Sequence, residues 1–389
     1  MTVGPTNGRL DVVELRRDLH AHPELAFAET RTTERIVEYL TILGLQPTVL
    51  SGGSGVVCDI GTGGPIVALR ADIDALPIQD TKDVPYRSTV DGVCHGCGHD
   101  AHTAILLGAA AELARDELPG RIRLIFQPGE EVVPGGALRV LDDGHLEGVE
   151  QIYALHCDPR LETGRVGLRV GAITAACDHV EVVLRGPGGH TARPQLTVDL
   201  VHAIGLVITQ LPPLLAARID AHAGLCMVWG AVESGSVANA IPRTARLRGT
   251  ARMLDAGAWH GMQSHVADLI AGIVAPTGAE VELHYTQGVP PVVNDASAVQ
   301  VQEAAVVTAL GAAALADTEQ SMGGEDFAWY LGSASGRSQA VGALARLGVR
   351  RPGAEPFDLH QAGFDIDEDA LEVGVRYTVA LARAALTRR

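Results

Sequence analysis

The sequence predicts an α/β protein: a mostly parallel sheet sandwiched by helices, interrupted by an inserted ferredoxin-like α+β domain. Three observations carry that prediction. Apolar strand-like runs alternate with helical ones over residues 1–177. Residues 178–290 switch to a β-α-β-β-α-β order. Helix–strand alternation then resumes over residues 291–389, so the larger domain is split and the smaller one sits inside it.

The elements follow in chain order. "TERIVEYLTILG" is an amphipathic helix stopped by Gly44. "SGGSGVVCDIGTGGP" reads as loop, strand and turn. "PIVALRADID" is a short apolar run tipped by acids, which suits a buried strand. "TAILLGAAAELARDE" is helical, "GRIRLIFQPGEE" is a strand running into a loop, and "QIYALHCD" is a further strand. In the insert, "DHVEVVLRG" alternates and "DLVHAIGLVITQLPPLLAARI" is a long helix pattern. "LCMVWGAVE" and "RTARLRGTARML" are strands, "AWHGMQSHVADLIAGIVAPTG" a helix and "EVELHYTQGV" a closing strand. The chain finishes on "DEDALEVGVRYTVALARAAL", a helix with acids in its first turn.

Bulk properties narrow the function classes. Hydrophobic residues make up 47% and charged ones 20%, the balance of a globular chain able to bury a core. Thirty basic against forty-seven acidic residues leave a net charge of -17, which repels phosphate backbones and anionic bilayers. Nucleic acid and membrane are therefore excluded as expected partners. No apolar run approaches the roughly 18–20 residues of a bilayer span. "MTVGPTNGRL" lacks a basic region followed by an apolar one, so the expectation is a cytoplasmic protein without a leader. Its six scattered cysteines then read as free thiols or ligands rather than disulfides.

The chemistry concentrates in "VCHGCGHDAH". Cys94 and Cys97 have the spacing of a zinc knuckle, but no second Cys-x-x-Cys or His-x-x-x-His follows to close a structural site. Alternatively Cys97 and His99, two apart on extended backbone, point to one side and await partners from other strand ends. "FQPGEE" supplies Glu130 and Glu131 after one strand, and "ALHCD" supplies His156 on the next. In a parallel sheet such carboxyl ends converge on one crevice. Adjacent glutamates are usually a solvated turn. On extended backbone they face opposite ways, so one could ligate a metal while the other addresses water, as metal-assisted hydrolysis requires.

"DLHAHPELAFAETRTT", "ALRADIDALPI", "CHGCGHDAHTAILLGAA", "FQPGEE", "GGALRVLDDG", "ALHCDP", "GPGGHTARP", "NAIPRTARLRGTAR", "MGGEDFAWYL" and "LHQAGFDIDEDAL" occur in that order. Together they resemble the dinuclear metallo-amidohydrolases that include hippurate hydrolase, N-acyl-amino-acid amidohydrolases and the plant indoleacetyl-amino-acid hydrolases. The resemblance covers nearly the whole chain.

It implies a zinc-peptidase-like larger domain holding two divalent ions, with Cys97 bridging or ligating and His99, Glu131, His156 and His360 as further ligands. Zinc, manganese, cobalt and nickel all suit such mixed donors. Glu130 would be the general base and then proton donor to the leaving amine, with Asp72 and Asp100 orienting the ligating imidazoles. From the insert, His190 would stabilise the oxyanion, and Asn239 and Arg252 would meet the substrate carbonyl and carboxylate. The implied partner is a small N-acyl amino acid, and the implied assembly a homodimer through the insert. His20, His22 and His102 match the pattern as packing and hydrogen-bonding residues.

Arg70 stands where peptidase-like relatives carry a metal-binding histidine, which favours the amidohydrolase branch over a dipeptidase or carbamoyl-amide hydrolase. Gln195, Arg193 and Gly129 depart from the common pattern and bear on acyl preference. A non-catalytic, metal-stabilised interaction protein would have no need of Glu130 beside Glu131. Neither "SGGSG" nor "GTGGP" has the strand–helix context of a phosphate cradle.

Overall fold

The computed structural model describes residues 10–387; residues 1–9, within the stretch read for a leader, lie outside them. The chain divides into two compact units. One comprises Met1–Ile173, Val292–Glu319 and Asp326–Arg389, the other Thr174–Pro291 and Gln320–Glu325.

The first unit is built on an eight-stranded sheet. Edge to edge its strands are Thr48–Val49, Val56–Ile60, Arg121–Gln127, Ile66–Asp72, Val149–Glu162, Val341–Arg350, Val166–Leu168 and Leu315–Asp317. The four central strands from Arg121–Gln127 to Val341–Arg350 are mutually parallel. Their Val, Ile, Leu and Ala side chains are buried on both faces, as a sheet covered by helices demands. His99–Leu113 is buried along nearly its whole length and packs against Asp369–Thr387. A helix apolar all round belongs inside a fold. Each fully buried Leu or Ile here, such as Leu107 or Ile122, contributes about 1.5–3 kcal/mol.

The second unit is a four-stranded antiparallel sheet in the order Cys226–Ser234, Thr244–Met253, Ala176–Arg185 and Glu280–Val289. Helices Leu200–Arg218 and Ala256–Val274 complete the β-α-β-β-α-β chain order. Gln320–Glu325 pack with this unit through named bonds: Ala175 N donates to Gly323 O at 3.1 Å, and Arg252 Nη1 to Met322 O at 2.6 Å. One expectation needs correcting. Leu200–Arg218 is, by length and composition alone, apolar enough to cross a membrane. Its apolarity is used locally: Leu200, Ala203, Ile204, Val207, Leu211 and Leu215 are buried in the unit's core.

Candidate metal centre

The site grows from the carboxyl ends of the central parallel strands. Ile66–Asp72 leads into Asp74, Arg121–Gln127 into Glu130 and Glu131, and Val149–Glu162 carries His156. Cys97 comes from the turn before the His99–Leu113 helix. The extended backbone expected for Cys97 and His99 is not what forms. Gly98 caps the helix in the left-handed region at φ 95°, and His99 is the first helical residue. A Cβ on Gly98 would stand 2.8 Å from Cys157 Sγ, so only glycine permits the turn at this spacing.

Donor atoms of Cys97, His99 and His156 lie within 4.8 Å of one another, and so do those of Cys97, Glu131 and His360. The two triads share the Cys97 sulfur. His156 Nδ1 donates to Cys157 O at 2.8 Å, leaving Nε2 facing Cys97 Sγ at 3.5 Å. His99 Nδ1 is taken by Asp74, at 2.9 Å from its carbonyl and 3.3 Å from Oδ1. His99 Nε2 then faces Asp72 Oδ2, Glu131 Oε1 and Glu130 Oε2 at 3.7, 3.8 and 3.9 Å and bonds none of them. Glu131 Oε1, 3.3 Å from His360 Nε2, is likewise without a hydrogen bond. Buried donors and acceptors are rarely left unmade. Two aimed at one space, beside a thiol and two imidazoles, fit a divalent cation.

Glu130 and Glu131 do not face opposite ways. Both lie in a turn, and both carboxylates approach His99. That turn is pinned from outside the sequence pattern. Asp74 Oδ2 accepts from Glu131 N at 2.9 Å, buried Glu29 Oε1 accepts from Gly129 N at 2.8 Å, and Gly136 N donates to Gly129 O at 3.0 Å. Gly129 sits at φ 64° with the Phe27 ring where a Cβ would go. His360 also occupies the left-handed region, at φ 59°, and its N–H donates to Gly96 O at 2.7 Å. Such strain in a non-glycine residue costs about 1–2 kcal/mol and clusters at functional sites.

The electrostatics are those of a site that collects positive charge. Burial would push Asp72 up, but His99, Arg70 and His102 hold its carboxyl well below the usual range. Burial, then Glu131, pushes the Cys97 thiol well above its usual value. Burial, then Arg346, holds His156 neutral, well below the usual imidazole range. A cation binding here would take the place of the thiol proton.

Other expected residues fall elsewhere. Asp72 bonds His102 Nδ1 at 2.6 Å, not a member of either triad, and Asp100 faces Arg16 Nε and His20 Nδ1, both at 2.7 Å. Asp74, to which the sequence assigns no role, holds His99 instead. Its only signal is its place in "RADID", two residues past a buried strand's end. His22 Nδ1 bonds Asp18 O at 2.8 Å. In the second unit His190 and Asn239 are exposed neighbours, since Ala240 pairs with His190 across a short two-stranded sheet. Gln195, in the short 3-10 helix Pro194–Leu196, and Arg193 just before it are exposed.

The sequence matches the family described as Peptidase family M20/M25/M40 over residues 68–384. It is 36% identical to an N-acetylcysteine deacetylase of Bacillus subtilis (strain 168) over 376 residues, 95% of this chain and 96% of that protein. It is 48% identical over 373 residues to a putative glutamate–cysteine ligase 2-3 of Rhodococcus jostii (strain RHA1), covering 96% of this chain but only 46% of that longer protein. A Bacillus subtilis crystal structure, described as a dinuclear metal binding peptidase of the M20 family, superposes with TM-score 0.83 at 35% identity. The match covers 96% of this chain and 97% of that one.

Proposed function

The chain belongs to Peptidase family M20/M25/M40 and is a metallo-hydrolase of amidohydrolase type; from that premise we propose that it cleaves the amide of N-acyl or N-aroyl amino acids, giving a carboxylic acid and a free amino acid. The observation that carries the reading is the pair of donor triads closing on one sulfur, with Glu130 beside them. Cys97, His99 and His156 would hold one divalent ion, and Cys97, Glu131 and His360 a second. The ions, when bound, would supply Lewis acidity toward the scissile carbonyl and lower the pKa of water.

The chain's own residues do the rest. Asp74 keeps the His99 proton on Nδ1, and Cys157 O does the same for His156, so both imidazoles present Nε2. Glu130 takes a proton from the attacking water and passes it to the departing amine nitrogen, ending as the carboxylate it began as. In the second unit His190, Asn239 and Arg252 are the proposed contacts for the developing oxyanion, the carbonyl and the carboxylate. The proposed assembly is a homodimer through that unit, which sedimentation would read.

N-acetylcysteine leads the candidate substrates, on the strength of the 36% identical deacetylase. The test is a panel of acetyl-, benzoyl- and indoleacetyl-amino acids, with dipeptides as controls, assayed for free amine after reconstitution with zinc, manganese, cobalt or nickel. Amine release from acyl amino acids supports the reading. Release from dipeptides alone, or from nothing, overturns it.

A further inference from the structure

Arg70 is almost fully enclosed in the first unit, with its side chain 1% exposed. Its Nη1 donates to Asp72 Oδ2 at 2.6 Å, its Nη2 to Asp326 Oδ1 at 2.8 Å and its Nε to Gln127 Oε1 at 2.9 Å. The far side of that fork is itself braced. Gln127 Nε2 donates to Asp326, Tyr330 Oη to Gln127 Oε1 at 2.9 Å, and Ala137 N to Asp326 Oδ2 at 3.0 Å.

From Asp72 the bonds run toward the metal centre. Asp72 Oδ1 meets His102 Nδ1 at 2.6 Å, and His102 Nε2 meets Cys157 N at 2.8 Å. A backbone N–H only donates, so His102 must accept at Nε2 and donate from Nδ1. A carboxylate gripped by a guanidinium is an acceptor there, which agrees. Cys157, so held at its N–H, offers the carbonyl of its next peptide group to His156 Nδ1 at 2.8 Å. His156 is thereby left with a lone pair on Nε2, toward Cys97.

We propose that Arg70 is a positioning residue: through Asp72, His102 and the backbone of Cys157, held at its N–H and bonded at its carbonyl, it sets which ring nitrogen His156 presents to the Cys97–His99–His156 triad. The tautomer is fixed from a guanidinium whose named bonds go to Asp72, Asp326 and Gln127. An arginine suits the task because its planar fork engages Asp72, Asp326 and Gln127 together, whereas a lysine is a single point charge. The inference rests on the proposed role of that triad as a cation site, but its primary readout does not need a cation.

The experiment uses the full chain. In metal-free protein, ¹⁵N NMR of the histidine rings should find His156 protonated on Nδ1 in the native chain, and as a tautomer mixture in folded Arg70→Met. Cobalt titration, followed by sulfur-to-cobalt absorbance, should show the native chain taking two ions. Arg70→Met should bind one of the two, the ion of the Cys97–His99–His156 triad, at least tenfold less tightly than the native chain does, in line with the 10–100-fold cost of losing a ligand's outer partner. His102→Leu cuts the same path without touching the arginine and should behave alike. His102→Gln, whose amide can accept from Cys157 N and donate to Asp72, should recover most of the binding. If Arg70→Met fails to fold, the two His102 variants decide. An unchanged His156 tautomer in folded Arg70→Met or His102→Leu overturns the proposal. A native chain with the expected tautomer that takes no cobalt overturns the cation reading instead.

Discussion

At the scale of single residues, each side chain of the proposed centre can be tested by one change. Glu130→Gln keeps the shape and removes the proposed proton acceptor. Metal content and thermal unfolding should stay native while amide turnover falls by roughly 10²–10⁴-fold; unchanged turnover would rule Glu130 out as the base. Asp74→Asn should act differently, because Asp74 steadies His99 and the Glu131 amide. It should weaken cation binding about 10–100-fold, read by metal titration. Asp80 gives a pH signature from a residue outside both triads. Burial raises its carboxyl, but the His20, Ser88, and Lys82 contacts outweigh that and hold it well below the usual range. A carboxyl depressed in the folded chain stabilises above its unfolded pKa of about 4, and that stability is lost as pH falls below it. Asp80→Asn should therefore cost about 3 kcal/mol near neutrality, with the gap to the native chain narrowing below about pH 4 in denaturant titrations.

At the scale of elements, strands were readable because burial on both faces writes continuous apolar runs such as "IVALRAD" and "RIRLIFQ". The helix Leu200–Arg218 was readable even through Pro212 and Pro213, since its apolar positions keep helical spacing on both sides. What could not be read was backbone direction at the crossings. A left-handed Gly98 turns "GCGHD" from strand-like to helix start, and Gly129 turns "PGEE" so that both glutamates face one space. Residue identity names the donors, but their aim is set by φ angles and by distant partners such as Glu29, Asp74 and Cys157. Asp100 was misread for that reason. It lies beside His99 in sequence, yet helical geometry swings it toward Arg16. Gly98→Ala tests the point. It adds a Cβ at φ 95° and 2.8 Å from Cys157 Sγ, so it should lower stability by at least about 1–2 kcal/mol and impair cation binding with it.

At the scale of the whole molecule, the donors come from four separate stretches of the first unit, at Cys97–His99, Glu130–Glu131, His156 and His360. An ion held by all of them ties those stretches together in the native state only. Adding metal at about a hundred times its dissociation constant should then stabilise by about 2.7 kcal/mol. Calorimetry with and without chelator should show that as a rise in unfolding temperature; superimposable traces would mean the donors do not act together. The shared Cys97 sulfur has one more consequence. Because both triads close on the same atom, there is no half-built arrangement to fall back on. On the proposed assignment, capping that sulfur with an alkylating reagent would take a donor from both triads in one event, so both ions should be lost together rather than one after the other.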